Sequence, residues 1–186
     1  MNDMTGSDAD AHARLAALEA GTTGAEALAF FDSLPPVSVE AMIGAWRGRD
    51  LHTGHPFDGL LPRFGWHGKR FESAEAVHPL VFERPDGTLY SVTPASAPFA
   101  ALRDFPKIAS RPRVPKIVRT VAPLTATTKP KARLRRIEHR GVLTAAMIYD
   151  ALPIIDIFRR IDDDTVLGLM DMRGDKGAYM FVLTRE

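Results

Sequence analysis

Val142–Tyr149 and residues 166–172 have the length and composition of β-strands, yet both are largely apolar on their two faces. A strand wetted on one side alternates apolar with polar residues, so these two must be covered twice. A helix or a partner subunit outside and an apolar lumen inside would supply that cover. Three more β segments, 133–138, 154–161 and 178–185, share this part of the chain. Turns at His139-Arg140-Gly141, Asp162-Asp163-Asp164 and 173–177 give the spacing of antiparallel meanders.

The first half adds shorter β text from residue 44 to 94, with a hairpin signal at Asp86-Gly87. Within it, Gly44-Ala45-Trp46-Arg47-Gly48 places two glycines around a large aromatic. Glycine in a strand marks a bend or close backbone approach, and tryptophan is suited to fill the space that results. That suits the opening strand of a small closed barrel, a shape that often holds one apolar ligand. Ahead of it, Ser7 is placed to cap a helix in a loosely held arm of residues 1–21. Thr23-Gly24-Ala25-Glu26 forms a capping box before a second helix that Pro35-Pro36 stops, and Ser38 caps a short third helix through Met42. Seven of the 14 prolines fall between 94 and 130, which predicts an extended crossover with at most a short strand at 117–121. The expected fold is mainly β, an antiparallel β-barrel of the lipocalin or fatty-acid-binding kind with N-terminal helices. One domain spans 22–185, divided into 22–94, a basic crossover 95–132 and 133–185.

Charge is unevenly distributed. Residues 103–140 carry twelve of the 24 Lys and Arg but only Asp104 and Glu138 among the acids, so this segment is strongly basic and the remainder acidic. Its one aromatic, Phe105, gives no stacking platform, so no nucleic-acid partner is expected. The N-terminus lacks a basic region followed by an apolar run, and Asp150 and Asp156 interrupt the later apolar stretches. Neither export nor a membrane span is expected, and the localisation expected is cytoplasmic. The absence of cysteine removes thiolate chemistry. His52 and His55 lie in a turn without an evident third ligand, and no P-loop or dinucleotide fingerprint occurs, so no metal and no cofactor is expected.

Gly44-Ala45-Trp46-Arg47-Gly48, with Thr53-Gly54-His55-Pro56, Asp58-Gly59-Leu60 and Gly65-Trp66-His67-Gly68-Lys69, resembles the bacterial GXWXG-motif family. Tyr149-Asp150, Pro153-Ile154-Ile155-Asp156, Phe158-Arg159-Arg160 and 163–168 are similar to the domain of unknown function that usually follows it. The resemblance, with the architectural analogy to lipocalin-like barrels, implies a hydrophobic small molecule, fatty-acid-like or otherwise lipid-like, bound in a cavity. Alpha-pinene oxide lyase looks like a member of the same two-part family. It implies an alternative, a cofactor-free lyase or isomerase that opens a terpene epoxide.

Such chemistry needs a proton donor at the oxygen and apolar or aromatic walls around the developing cation. His67, Tyr149, Asp150 and Asp156 are the candidate donors or tuning partners; Trp46, Trp66, Phe158 and Met170 are the candidate walls. Each has a structural alternative: Trp46 as a barrel plug, His67 as a bend residue, Tyr149 and Asp150 as a strand end. Asp156 could instead pair with Arg159, Arg160 or Arg140. For a fatty-acid carrier the carboxylate would be held by Arg185 and Tyr179, with Arg140 or Arg135. On the last strand Tyr179, Phe181, Leu183 and Arg185 share one face, although Arg185 could equally be frayed and solvated. A homodimer is compatible with the doubly apolar strands.

Overall fold

In the computed structural model, which describes residues 3–96, 106–109 and 111–186, nine antiparallel strands form one continuous sheet. They are β1 (Gly44–Leu51), β2 (Trp66–Phe71), β3 (Val77–Glu83), β4 (Leu89–Ser91), β5 (Ala132–His139), β6 (Val142–Tyr149), β7 (Ile154–Arg160), β8 (Thr165–Met172) and β9 (Tyr179–Arg185). The order β2-β1-β9-β8-β7-β6-β5-β3-β4, with β2 also paired to β3, closes eight strands into a ring and leaves β4 on its rim. The narrowest join is β3 to β5, where Val77 faces Ala132 and accepts a hydrogen bond from Lys131 N at 2.9 Å.

The ring wall separates two apolar clusters, which explains the doubly apolar strands. Inside lie Trp46, Trp66, Phe71, Met147, Phe158 and Phe181. Outside, Ala146, Ile157, Leu167, Leu169, Met180 and Val182 meet helices α1 (Asp3–Glu19) and α2 (Gly24–Ser33) through Leu15, Ala27, Phe30 and Phe31. Helices thus supply the outer cover.

The capping box forms as expected: Glu26 N donates to Thr23 Oγ1, and the Glu26 carboxylate accepts from Thr23 N at 2.9 Å. Ser38 likewise caps α3 (Val39–Met42). The first helix differs from expectation, starting four residues ahead of Ser7 and lying docked on the ring. Leu15 is buried, Arg160 bonds Asp8, Arg49 bonds Glu19 at 2.7 Å, and His12 meets Asp162. The crossover also differs. Residues 117–121 belong to a helix, α6 (Val114–Val121), preceded by α5 (Pro106–Ala109) and followed by a 3₁₀ turn, Ala122–Thr125. Pro115 lies in the first turn, where a missing N–H removes no helical hydrogen bond, and Pro123 follows the last turn. The prolines therefore bracket the helix.

Two glycines of the Gly-x-Trp-x-Gly segment have separate tasks. Gly44 adopts φ +137°, in the region L side chains avoid. A Cβ on Gly48 would lie 2.2 Å from the Trp66 ring. The space over Gly48 is thus filled by Trp66 and not by Trp46, whose indole N–H instead donates to Met42 O at 2.8 Å.

Candidate functional site

Among the described residues, one ion pair lies in the interior of the ring. Lys69 Nζ donates to Asp156 Oδ2 at 2.8 Å and to Pro79 O at 3.2 Å, with both charged side chains only 3% exposed. Aromatic rings surround the ammonium: Phe181 at 4.8 Å, and Trp66 and Tyr149 each at 5.8 Å from their centroids. Trp66 and Lys69, three residues apart on β2, can both face inward because the β2–β3 register shifts at two points between Trp66 and Arg70. Burial pushes the Asp156 carboxyl above its ordinary value, and the Lys69 charge opposes that shift.

Beside the pair lies an apolar cavity of about 120 Å³. It sits where β6 and β8 finish and β7 and β9 begin, lined by Tyr149, Ile154, Met170 and Tyr179. The short helix α4 (Leu60–Phe64) forms one wall of it with Leu60, Leu61 and Phe64. Among the described residues that line the cavity, the two tyrosines carry the polar side-chain groups. Tyr179 Oη donates to Asp50 Oδ1 at 2.8 Å, while Asp50 Oδ2 accepts from Gly59 N at 2.7 Å. Among the described residues, none hydrogen-bonds to the Tyr149 hydroxyl. Burial, then the neighbouring Asp156 charge, pushes the Tyr149 phenol well up, so it remains a neutral donor at ordinary pH.

The candidate residues separate into groups. Tyr149, Asp156, Trp66, Met170 and Tyr179 converge on the ion pair and the cavity. Phe158 is buried deeper in the lumen, edge-on to Phe71 and Phe181 at 5.9 and 6.3 Å. His67 and Asp150 lie elsewhere. His67 lines an open groove of about 740 Å³ beside Arg70, Glu72, Tyr90 and Lys129, with its ring bonded to Glu186 at 2.8 Å and close to Glu83 and Arg47. Asp150 is exposed after the end of β6.

The arginines weighed for Asp156 go to other partners. Arg140 grips Asp32 through two 2.7 Å bonds, Arg160 binds Asp8, and Arg159 packs 5.2 Å from the Phe31 ring centroid on the outer side. Among the described residues, no arginine lines the cavity either. Arg185 is ordered, bonding Ala41 O, Ile43 O and Asp164 while covering the Trp46 ring at 4.3 Å, and Arg135 pairs with Glu75.

Lys69 and Asp50 are the residues sequence inspection missed. Asp50 shares the parity of Trp46 and Gly48 on β1, so strand alternation could have placed it inward. For Lys69, alternation from Trp66 gives the wrong face, and only the bulge reverses it.

Comparison with known proteins gives two family matches. Residues 29–87 match the family described as GXWXG protein, and residues 130–185 match a domain of unknown function, DUF4334. The fold also resembles a solved structure described as "Crystal structure of protein from Thermomonospora curvata". The two are 36% identical, with a TM-score of 0.69, and the match covers 95% of this chain and 99% of the other. No curated protein matches.

Proposed function

This chain belongs to the family of GXWXG proteins that carry the DUF4334 domain, and we propose that it binds one compact, uncharged, largely apolar molecule in the cavity beneath α4. The observation that carries this reading is an apolar cavity in which, among the described residues that line it, Tyr149 is the one side-chain donor without a hydrogen-bond partner. Its volume of about 120 Å³ is near that of apolar cavities known to take a benzene-sized guest, of the order of 150 Å³. A fatty-acid-like ligand fits less well. The lumen beyond the cavity is filled by Trp66, Phe71, Phe158 and Phe181, and its cation is already neutralised by Asp156.

A thermal-shift series distinguishes the two ligand classes. Cyclohexanone, a single six-membered ring ketone, is expected to raise Tm and palmitate is not. At about one hundred times Kd the stabilisation is about 2.7 kcal/mol, which corresponds to several degrees in a chain of this size. Leu60→Trp, which fills the cavity, should abolish the response to cyclohexanone. If palmitate alone stabilises the protein, or cyclohexanone has the same effect on Leu60→Trp, the cavity is not the site.

A second function is favoured by Tyr149 and Asp156 together: cofactor-free opening of a terpene epoxide such as alpha-pinene oxide. The Tyr149 hydroxyl would protonate the epoxide oxygen as its C–O bond breaks, the carbocation would rearrange among apolar walls, and the Tyr149 phenolate would take a proton back as the aldehyde forms. The nearby Asp156–Lys69 pair would tune that donor. Incubation with alpha-pinene oxide should then yield ring-opened aldehyde above the buffer rate, with Tyr149→Phe at the buffer rate. Equal yields from protein and buffer would remove this second function while leaving binding intact.

A further inference from the structure

The outer face of α6 and the 3₁₀ turn after it has a composition that neither the cavity nor the ion pair explains. Val114, Val118 and Ala122 turn inward, Val118 and Ala122 as members of the ring's inner cluster and Val114 packed against it. Arg113, Lys116, Ile117, Thr120 and Leu124 recur at the complementary helical spacing and face solvent. Ile117 is 58% exposed and Leu124 85%. Isolated exposed apolar residues are ordinary, but two of the five large ones on the described surface, Ile117 and Leu124, fall within this short span, and a third, Ile108, lies ahead of it on α5. Four cations, Arg111, Arg113, Lys116 and Arg119, accompany them without an acid between 111 and 125. Among the described residues, no carboxylate pairs with Arg111, Arg113 or Lys116.

We propose that this face docks on an anionic lipid surface. Charge complementarity selects negative headgroups, and Ile117 and Leu124 supply the apolar contact that a purely solvated basic face lacks. Nucleic acid would use the same cations, but the span 111–125 contains no aromatic residue for stacking, and two exposed aliphatic side chains would face phosphates. Position adds a reason for the contact. Arg119 donates to Arg63 O at 3.1 Å, joining α6 to α4, whose Leu60, Leu61 and Phe64 line the cavity. The docking face therefore adjoins the wall of the apolar cavity, and an apolar molecule could pass between bilayer and cavity without crossing much water. Docking itself does not depend on a ligand.

Vesicle flotation tests the proposal with the full chain. Phosphatidylcholine vesicles containing about 30% phosphatidylglycerol should carry the protein upward, pure phosphatidylcholine should not, and added salt should release it. Lys116→Gln should weaken partitioning about fivefold, the usual contribution of one surface cation. Leu124→Ser, at a site too exposed to affect folding, should weaken it about tenfold. Equal flotation with both vesicle types overturns the proposal, as does unchanged binding by Leu124→Ser, which would mark a purely ionic face. Tighter binding to a single-stranded oligonucleotide than to the anionic vesicles would overturn it in favour of nucleic acid.

Discussion

Burying Lys69 and Asp156 together removes two charges from water, and their attraction offsets that loss only while both are present. Lys69→Met should therefore destabilise the protein by about 3–5 kcal/mol, because Asp156 is left without its counterion. Adding Asp156→Leu should recover most of the loss, since an apolar pair no longer requires desolvated charge. Urea unfolding of both singles and the double gives the coupling. A loss below about 1 kcal/mol in Lys69→Met, or losses that simply add, would mean the pair is not coupled as the geometry implies. Only half of this pair was legible in the sequence. An aspartate among isoleucines is conspicuous on any strand, whereas Lys69 follows a glycine-rich bend and reaches the lumen through a register shift that alternation does not encode.

At the scale of elements, β1 and β2 fit because Gly48 leaves room for the Trp66 ring. With a Cβ 2.2 Å from that ring, Gly48→Ala must displace Trp66 from its place against Phe181 and Lys69. The expected cost is about 1–3 kcal/mol, with a red shift in tryptophan emission as Trp66 moves toward water. Trp66→Leu in the Gly48→Ala background should regain part of that stability. Should Gly48→Ala keep both the stability and the emission of the parent, the close approach is not a constraint. Strand positions in both halves and the caps at Thr23 and Ser38 were readable, since periodicity and capping are local. Helix α6 was not. Proline count argued against it, and only proline position, at the first turn and beyond the last, is compatible with the helix that forms. Ring closure was legible only as strand number, because the single Val77–Ala132 pairing between β3 and β5 leaves no local mark.

Over the whole molecule, buried and half-buried titratable groups pull stability in opposite directions as pH changes. Burial lowers the His78 and His139 pKa values below 6.5, so their contribution is complete above the unfolded value and is lost as pH falls through the folded values. Burial raises Asp50 and Asp156 above 3.8, so their contribution is complete below that value and is lost as pH rises through the folded ones. The histidines therefore set the first loss on mild acidification, and the two aspartates moderate it at lower pH. His139 lies on the outer side of the ring, 6.5 Å edge-on to Phe31, and His78 on β3 approaches Glu72 at 3.4 Å. Acid would thus strain the helix-covered wall and the β2–β3 side together. Replacing both histidines with Gln should flatten the fall in unfolding free energy between about pH 7 and pH 5, each single variant giving part of the effect. Urea midpoints measured across that range decide it: the same fall in the double variant would assign the acid response to other groups, whereas a flattened curve would trace it to these two imidazoles.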